Sequence, residues 1–290
     1  MLGSMVFDIL SKNPAFDVRG TARNPKEVPS SWQEKTCAFD AEKDDIAETV
    51  FNDFRPEYIV NCIGILKPYC KDNDQAGVLR AIRVNALFPH LLASAAEDIE
   101  ARVIQIATDC VYSGTLGSYM EQSPHDPLDV YGKTKSLGEV KLPRFLNIRT
   151  SIIGPEPKAK VSLLEWFLSQ TKEDKVTGFT HHLWNGVTTL QFANVCEELI
   201  EKGDENFDAL VAVSNIHHLV INETVNKFEL LAIFNKVFDK GLEINAVDNI
   251  GQPVDRSLGT EYASFGTAAP GKMEDALLEL KRYMESGSDI

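Results

Sequence analysis

The first half of the chain alternates short apolar runs with helix-length amphipathic stretches, and this rhythm restricts the fold more than any other feature. The apolar runs cover 16–21, 36–39, 58–62, 103–107 and 146–149 and read as buried parallel strands. Between them, 4–12, 44–54, 78–97 and 130–141 carry the spacing of amphipathic helices. Strand, helix, strand, helix with short connections predicts an α/β fold with a doubly wound parallel sheet over residues 1–153. Ligands of such sheets bind beyond the carboxyl ends of the strands, so the residues just after each apolar run are the first candidates for chemistry. From Ile153 onward the rhythm changes. Gly154-Pro155-Glu156-Pro157 interrupts it. Helices are predicted at 163–170, 192–202, 223–238 and 272–284, with strands at 210–214 and 242–245. That pattern predicts a smaller mixed α/β lobe over 154–290, partly made of excursions from the sheet, with a frayed end at 285–290.

Composition excludes several function classes. The 43 acidic residues against 29 basic ones leave a net charge of −14, the wrong balance for neutralising nucleic-acid phosphates. No apolar run approaches the roughly 18 residues of a membrane span and no signal peptide is visible, so no membrane partner is expected, and the cysteine pattern below fits a cytoplasmic protein. Cys37, Cys62, Cys70, Cys110 and Cys196 are odd in number, scattered and without a Cys-x-x-Cys, which fits reduced thiols rather than disulfides or zinc. The histidines show no ligand spacing, and no metal is expected.

The strongest chemical signal lies in two segments. Ala107-Thr108-Asp109-Cys110-Val111-Tyr112 ends an apolar strand, and Tyr131-Gly132-Lys133-Thr134-Lys135-Ser136-Leu137-Gly138-Glu139 opens a helix. Tyr131 and Lys135 stand i, i+4 and project from one helical face. An ammonium beside the phenol is expected to bring Tyr131 down from about 10 toward neutrality, making it a general acid. Thr108 can offer a hydroxyl to a substrate carbonyl oxygen. Tyr-x-x-x-Lys by itself arises often by chance, and the surrounding sequence is what gives it weight.

A strand ending in Thr108-Asp109, the Tyr131–Glu139 helix and an Asn147-Ile148-Arg149-Thr150 strand ending near Gly154-Pro155 resemble the extended short-chain dehydrogenase/reductases. Within them the chain is similar to the dTDP-4-dehydrorhamnose reductase group, which reduces 4-keto nucleotide sugars. The resemblance runs over residues 1–154. It continues more loosely through Leu164-Glu165-Trp166-Phe167, Asn185-Gly186-Val187-Thr188-Thr189 and Asp255-Arg256-Ser257-Leu258. It implies a Rossmann-like, NADP-binding domain and a nucleotide-sugar substrate lobe, acting in polysaccharide or deoxysugar biosynthesis. Tyr131 would be the proton donor, Lys135 would orient it and the cofactor ribose, and Thr108 would polarise the keto group. Asp109, Ile152 and Arg256 would face the substrate. The implied cofactor contacts are Leu2, Gly3, Arg23, Asp40, Cys62, Ile63 and Gly64, together with Tyr131 and Lys135. Arg23 would read a 2′-phosphate and favour NADP, with NAD as the alternative. Cys62 reads as a small packing residue and Asn85 as a structural one. A two-fold homodimer is the default assembly.

The sequence departs from that group in places. Its members open with an apolar strand and Gly-x-x-Gly-x-x-Gly, whereas Met1-Leu2-Gly3 aligns only with the end of that motif. In the doubly wound order the strand is central, and each buried backbone group left unpaired costs about 1–3 kcal/mol. The expectation is a truncated form of a longer protein, against a divergent member without full cofactor binding. Ile152 stands where rhamnose-forming reductases carry a tryptophan. Trp184 or Trp166 could replace that aromatic face, although Trp166 reads as core on its apolar helix. Lys158, Lys160 and Arg256 are the cations available to a diphosphate, the lysines reading as solvated surface. Cys110 after Asp109 argues against a sugar-nucleotide dehydratase, which carries an Asp-Glu pair there. An epimerase uses the same three residues, and a non-catalytic binding subunit is the alternative from another class.

Overall fold

Most of the apolar runs become short strands and most of the amphipathic stretches become helices. In chain order the first half holds α1 (Leu2–Lys12), β1 (Gly20–Ala22), β2 (Thr36–Ala38), β3 (Tyr58–Asn61), α2 (Gln75–Ala81), α3 (Phe88–Asp98), β4 (Arg102–Ile106), α4 (Val130–Leu137) and β5 (Phe145–Arg149). The computed structural model describes residues 1–157, 160–248, 250–262, 264–265 and 269–287. The second half adds β6 (Ile152–Ile153), α5 (Leu163–Ser169), β7 (Val176–Phe179), β8 (His182–Trp184), β9 (Val187–Thr188), α6 (Thr189–Glu201) and α7 (Gly203–Val213). It closes with β10 (Ile216–His218), β11 (Val225–Asn226), α8 (Lys227–Val237), β12 (Ile244–Val247), β13 (Val254–Asp255) and α9 (Met273–Glu285).

The main sheet is parallel with strand order β10-β5-β4-β3. Side-chain alternation divides its apolar residues between two layers. Val103 and Phe145 join Phe39, Phe51, Phe88 and Leu92 on one side. Their neighbours Ile104 and Leu146 join Leu2, Met5 and Leu190 on the other. Strands β4 and β5 therefore bury apolar residues on both faces, as a doubly wound sheet demands. β1 and β2 form a separate parallel pair. The second half returns to the main sheet through β10, and α6 packs against α1. Its remaining strands make small local pairs, such as β7 with β12 and β8 between β11 and β13.

Several predicted elements differ, each for a local reason. The stretch 78–97 forms α2 and α3 joined by a wider turn at Ile82–Leu87. Pro89 has no N–H to give the Asn85 carbonyl, so regular α-helical pairing fails there. Residues 44–54 hold only a wide turn at Ala47–Phe51. The predicted strand 210–214 is the end of α7, because Phe207, Leu210 and Val211 follow helical spacing onto the core. The predicted helix 223–238 starts later, at the Asn226–Glu229 capping box, which frees Val225 and Asn226 to pair with β8. The C-terminal helix ends at Glu285, and 288–290 of the predicted frayed end lie outside the described residues.

A buried polar network joins β5, β10 and the loop before α4. Arg149 is 1% exposed and donates to Glu139 from Nε and Nη2, both at 2.7 Å. Its Nη1 donates to the Tyr112 hydroxyl and to the Glu121 carbonyl. His218 lies against Tyr112 and the Gly259 carbonyl, and its main-chain N–H donates to Glu121. Burial pushes His218 down to about 4. Burial alone would raise Glu121, but hydrogen bonds from Thr260 and the Glu261 N–H hold it below the usual range. An unfolded chain binds a proton at His218 near pH 6.5 that the folded chain refuses until about 4. Stability should therefore fall as pH drops through that window, and Glu121 adds to the loss below its unfolded pKa. The urea midpoint is expected to be clearly lower at pH 5.0 than at pH 7.5. A flat profile would contradict this protonation scheme.

Candidate active site

Thr108 leaves β4 in an extended conformation and caps the short turn Asp109–Val111, its Oγ1 accepting the Cys110 N–H at 3.1 Å. The same hydroxyl lies 3.2 Å from Asp109 Oδ1. Helix α4 starts opposite, capped by Asp129, which accepts the Gly132 N–H and pairs with Lys67. A Cβ on Gly132 would overlap the Cys110 carbonyl oxygen, so glycine is what lets the first turn of α4 close onto the exit of β4. That closeness brings the half-buried Tyr131 phenol near enough to Thr108 for the threonine hydroxyl to lower its pKa against the other influences. At the other end of α4, Gly138 sits against the Asn85 carbonyl where a Cβ would not fit. The Asn85 side chain meanwhile clamps the N–H and carbonyl of Ile65 and touches Thr134.

Lys135 is 6% exposed and donates from Nζ to the Ile106 carbonyl at 2.7 Å. Burial lowers it to about 8, with Glu139 and Cys62 opposing. The expected descent of Tyr131 toward neutrality is not what the structure gives. Burial, then the nearby Cys110 and Asp109, raise the phenol, and the Thr108 hydrogen bond opposes them. The i, i+4 spacing does not ensure that an ammonium settles on the phenol, because the β4 carbonyl takes the ammonium instead. The Tyr131 phenol thus keeps its proton at neutral pH.

The other predicted residues fall into two groups. Gly3 is exposed at the start of α1, where a Cβ would lie 3.5 Å from Cys62 Cβ, and Cys62 in turn senses Lys135. Burial pushes the Cys62 thiol up to about 12, as suits a packing residue. Ile63 is half-buried with its N–H held by Asn61, and Gly64 is exposed. Leu2 turns its side chain into the core, leaving only its main chain toward the strand ends. Arg23 is exposed after β1, and Asp40 after β2 feels its charge and pairs with Lys43.

On the opposite side, burial raises the Asp109 carboxyl while Arg256 opposes it. Arg256 donates to the carbonyls of Tyr112 and Ser113. The Asn185–Thr189 and Asp255–Leu258 segments are tied directly by two hydrogen bonds between the Asn185 side chain and the Leu258 main chain. Ile152 is half-buried on β6 against the larger core. Trp184 is 5% exposed whereas Trp166 is 38% exposed, so the core expectation for Trp166 is reversed. Its helix turns Leu164 and Phe167 inward and Trp166 to solvent. Lys160 is exposed, and Lys158 lies outside the described residues.

Lys227 joins this region only through the fold. It opens α8 half-buried, 5.3 Å over the Trp184 ring, and burial lowers it while Asp109 and Cys110 oppose. A lysine at a helix start is electrostatically unfavourable, and that anomaly was its available signal. Among the described residues no cluster of His, Cys, Asp and Glu could hold a metal, and no helix is long and apolar enough to cross a membrane.

A parallel sheet with helices on both faces, a strand-end threonine and a helix-borne Tyr-x-x-x-Lys define the extended short-chain dehydrogenase/reductase class. A model of the RmlD substrate binding domain matches residues 5–258, and the chain belongs to that family. It is 24% identical over 199 residues to methionine adenosyltransferase 2 subunit beta of Xenopus tropicalis, covering 66% of this chain and 58% of that relative's length. It is 36% identical over 111 residues to dTDP-4-dehydrorhamnose reductase of Salmonella typhimurium, covering 37% of this chain and 36% of that one. Two solved structures share the fold. The dTDP-4-dehydrorhamnose reductase of Bacillus anthracis in complex with NADP has a TM-score of 0.70 and 18% identity, over 93% of this chain and 99% of that one. The Bordetella bronchiseptica enzyme WbmG in complex with NAD has a TM-score of 0.76 and 17% identity, over 100% and 93%.

Proposed function

We propose that this protein reduces a keto group on a nucleotide-linked sugar with a nicotinamide dinucleotide, NADPH preferred. The observation that carries the reading is the packing of the first turn of α4, which bears Tyr131, against the exit of β4, which bears Thr108, with Lys135 anchored on the Ile106 carbonyl behind them. Residues 1–153 would serve the dinucleotide and 154–290 the sugar.

The residues present fit such a cofactor. The first N–H groups of α1 have no partner earlier in the helix, Gly3 keeps that turn bare, and Gly64 leaves the β3 exit open. Lys135 uses one of three ammonium donors on Ile106, leaving others for a ribose hydroxyl. When bound, the reduced dinucleotide supplies hydride to the carbonyl carbon. Thr108 donates a hydrogen bond to the carbonyl oxygen as charge develops there, and Tyr131 delivers its proton to that oxygen. Asp109, Ile152, Arg256 and Lys227 would border the substrate, with the two cations available to a diphosphate.

A second reading, a non-catalytic subunit, is favoured by the longer alignment with the methionine adenosyltransferase subunit than with the reductase. Fluorescence titration with NADPH beside NADH tests the first. Saturable binding with NADPH preferred is expected, and Arg23→Ala should weaken NADPH about tenfold by removing a charged phosphate contact while sparing NADH. A folded chain that binds neither dinucleotide would reject the reductase reading.

A further inference from the structure

The loop from Ile65 to Asp74 joins two regions that matter to the proposed reaction. It leaves the β3 exit directly after Gly64, and it meets the first turn of α4, which bears Tyr131. Both ends of the loop are firmly fixed. Asn85 is 1% exposed and clamps the N–H and carbonyl of Ile65 at 2.7 and 3.0 Å. Farther along, Cys70 is buried, and the loop lies so close to α2 that a Cβ on Gly77 would overlap the Tyr69 carbonyl and the Asp74 carboxylate. A segment rooted in this way can hold another element in register.

Two polar contacts tie it to the start of α4. Asp72 Oδ1 accepts the Val130 N–H at 3.2 Å, one of the early amides for which a helix has no internal partner. Lys67 Nζ lies 2.5 Å from Asp129 Oδ2, while Asp129 Oδ1 accepts the Gly132 N–H at 2.9 Å. One carboxylate thus serves the helix with one oxygen and the loop with the other. Burial alone would raise Asp129, but the Gly132 N–H and Lys67 hold it below the usual range. Tyr131 sits between the two amides so held, and the loop therefore shares in setting where its side chain starts. An ion pair with Lys67 at 58% exposure adds little to stability. What it fixes is position.

We infer that Lys67 and Asp72 are positioning residues for Tyr131, holding the first turn of α4 in the register at which the phenol delivers its proton. This assignment rests on the reductase reading of the site. A reacting group displaced by about 1 Å can lose up to about 10²-fold in rate, so the loss of either contact is read in kcat.

Lys67→Ala and Asp72→Ala are each expected to lower kcat about tenfold. KM for the dinucleotide and the keto sugar should stay within about twofold, and Tm within about 2 °C. Lys67→Arg keeps the cation and Asp72→Asn keeps the accepting oxygen, and both should recover most of the rate. In the free chain, Lys67→Ala should also speed amide exchange at Gly132 at least about twofold, because the Asp129 cap loses its tether. That measurement needs no ligand and keeps the two claims apart. An unaltered chain that turns over no keto sugar sinks the reductase reading, whereas unchanged Gly132 exchange sinks the clamp. Unchanged kcat in both alanine variants, or no recovery in the conservative ones, would overturn the assignment. So would a dinucleotide KM that rises as far as kcat falls, which would mark the loop as a cofactor contact.

Discussion

Tyr131→Phe is expected to lower kcat for keto-sugar reduction by about 10²–10⁴-fold, the usual contribution of a positioned general acid. Dinucleotide affinity should change little, because the ring and its packing remain. The argument rests on position. The start of α4 sets the phenol near the strand end that bears Thr108, and burial keeps it protonated through neutral pH. Thr108→Val should give a smaller loss, since a hydrogen bond to the developing oxygen is removed and the proton source stays. A Tyr131→Phe protein that turns over its keto sugar at the original rate would refute the assignment. Should the unaltered chain bind a dinucleotide yet transfer no hydride to a panel of nucleotide-linked keto sugars, the subunit reading gains.

Glu139→Ala should produce the largest loss of stability, about 3–5 kcal/mol, because it leaves the Arg149 guanidinium buried without its counter-ion. Both side chains are nearly inaccessible, at 2% and 3%. Stability of a native protein is about 5–15 kcal/mol, so much of the margin would go. At about 2–4 °C per kcal/mol for chains of this order of size, Tm should fall by roughly 10 °C. The exposed pair Lys202–Glu198 is a control, and Glu198→Ala should cost under about 1 kcal/mol. Glu139→Gln keeps the hydrogen-bonding shape and should lie between the two. Equal Tm values for Glu139→Ala and Glu198→Ala would show that the buried pair has no special weight.

Glu139 also shows where sequence reading runs out. In the sequence it is only the last residue of the Tyr131–Glu139 pattern, and Arg149 only part of a strand. Their pairing depends on β5 passing beside the end of α4 and on β10 closing over both. No spacing rule carries that information. The same limit explains the lysine at 135. Its neighbour on the helix was legible, but the carbonyl that captures it belongs to β4 and is 29 residues away in the chain.

Thr108, Tyr131 and Lys135 were readable because the first ends a strand and the other two share a helix face, both local consequences of backbone geometry. The glycines at 132 and 138 were readable as a pattern, although their reason is tertiary: each stands where another segment's carbonyl leaves no space for a Cβ. The apolar run at 210–214 was ambiguous because four or five apolar residues satisfy either period, and only packing of Phe207 and Leu210 against the core chose helix. Lys227 became visible only when α8 brought it over Trp184 and near Asp109.

By itself, then, the sequence determined the parallel α/β class and the placement of Thr108 at a strand end and of Tyr131 and Lys135 on one helix face, since hydrophobic period and i, i+4 spacing act within a few residues of one another. The tertiary structure decided which groups those residues touch and how burial shifts their protonation. Those depend on segments far apart in the chain meeting in a desolvated interior, where contact and dielectric are properties of the assembled fold.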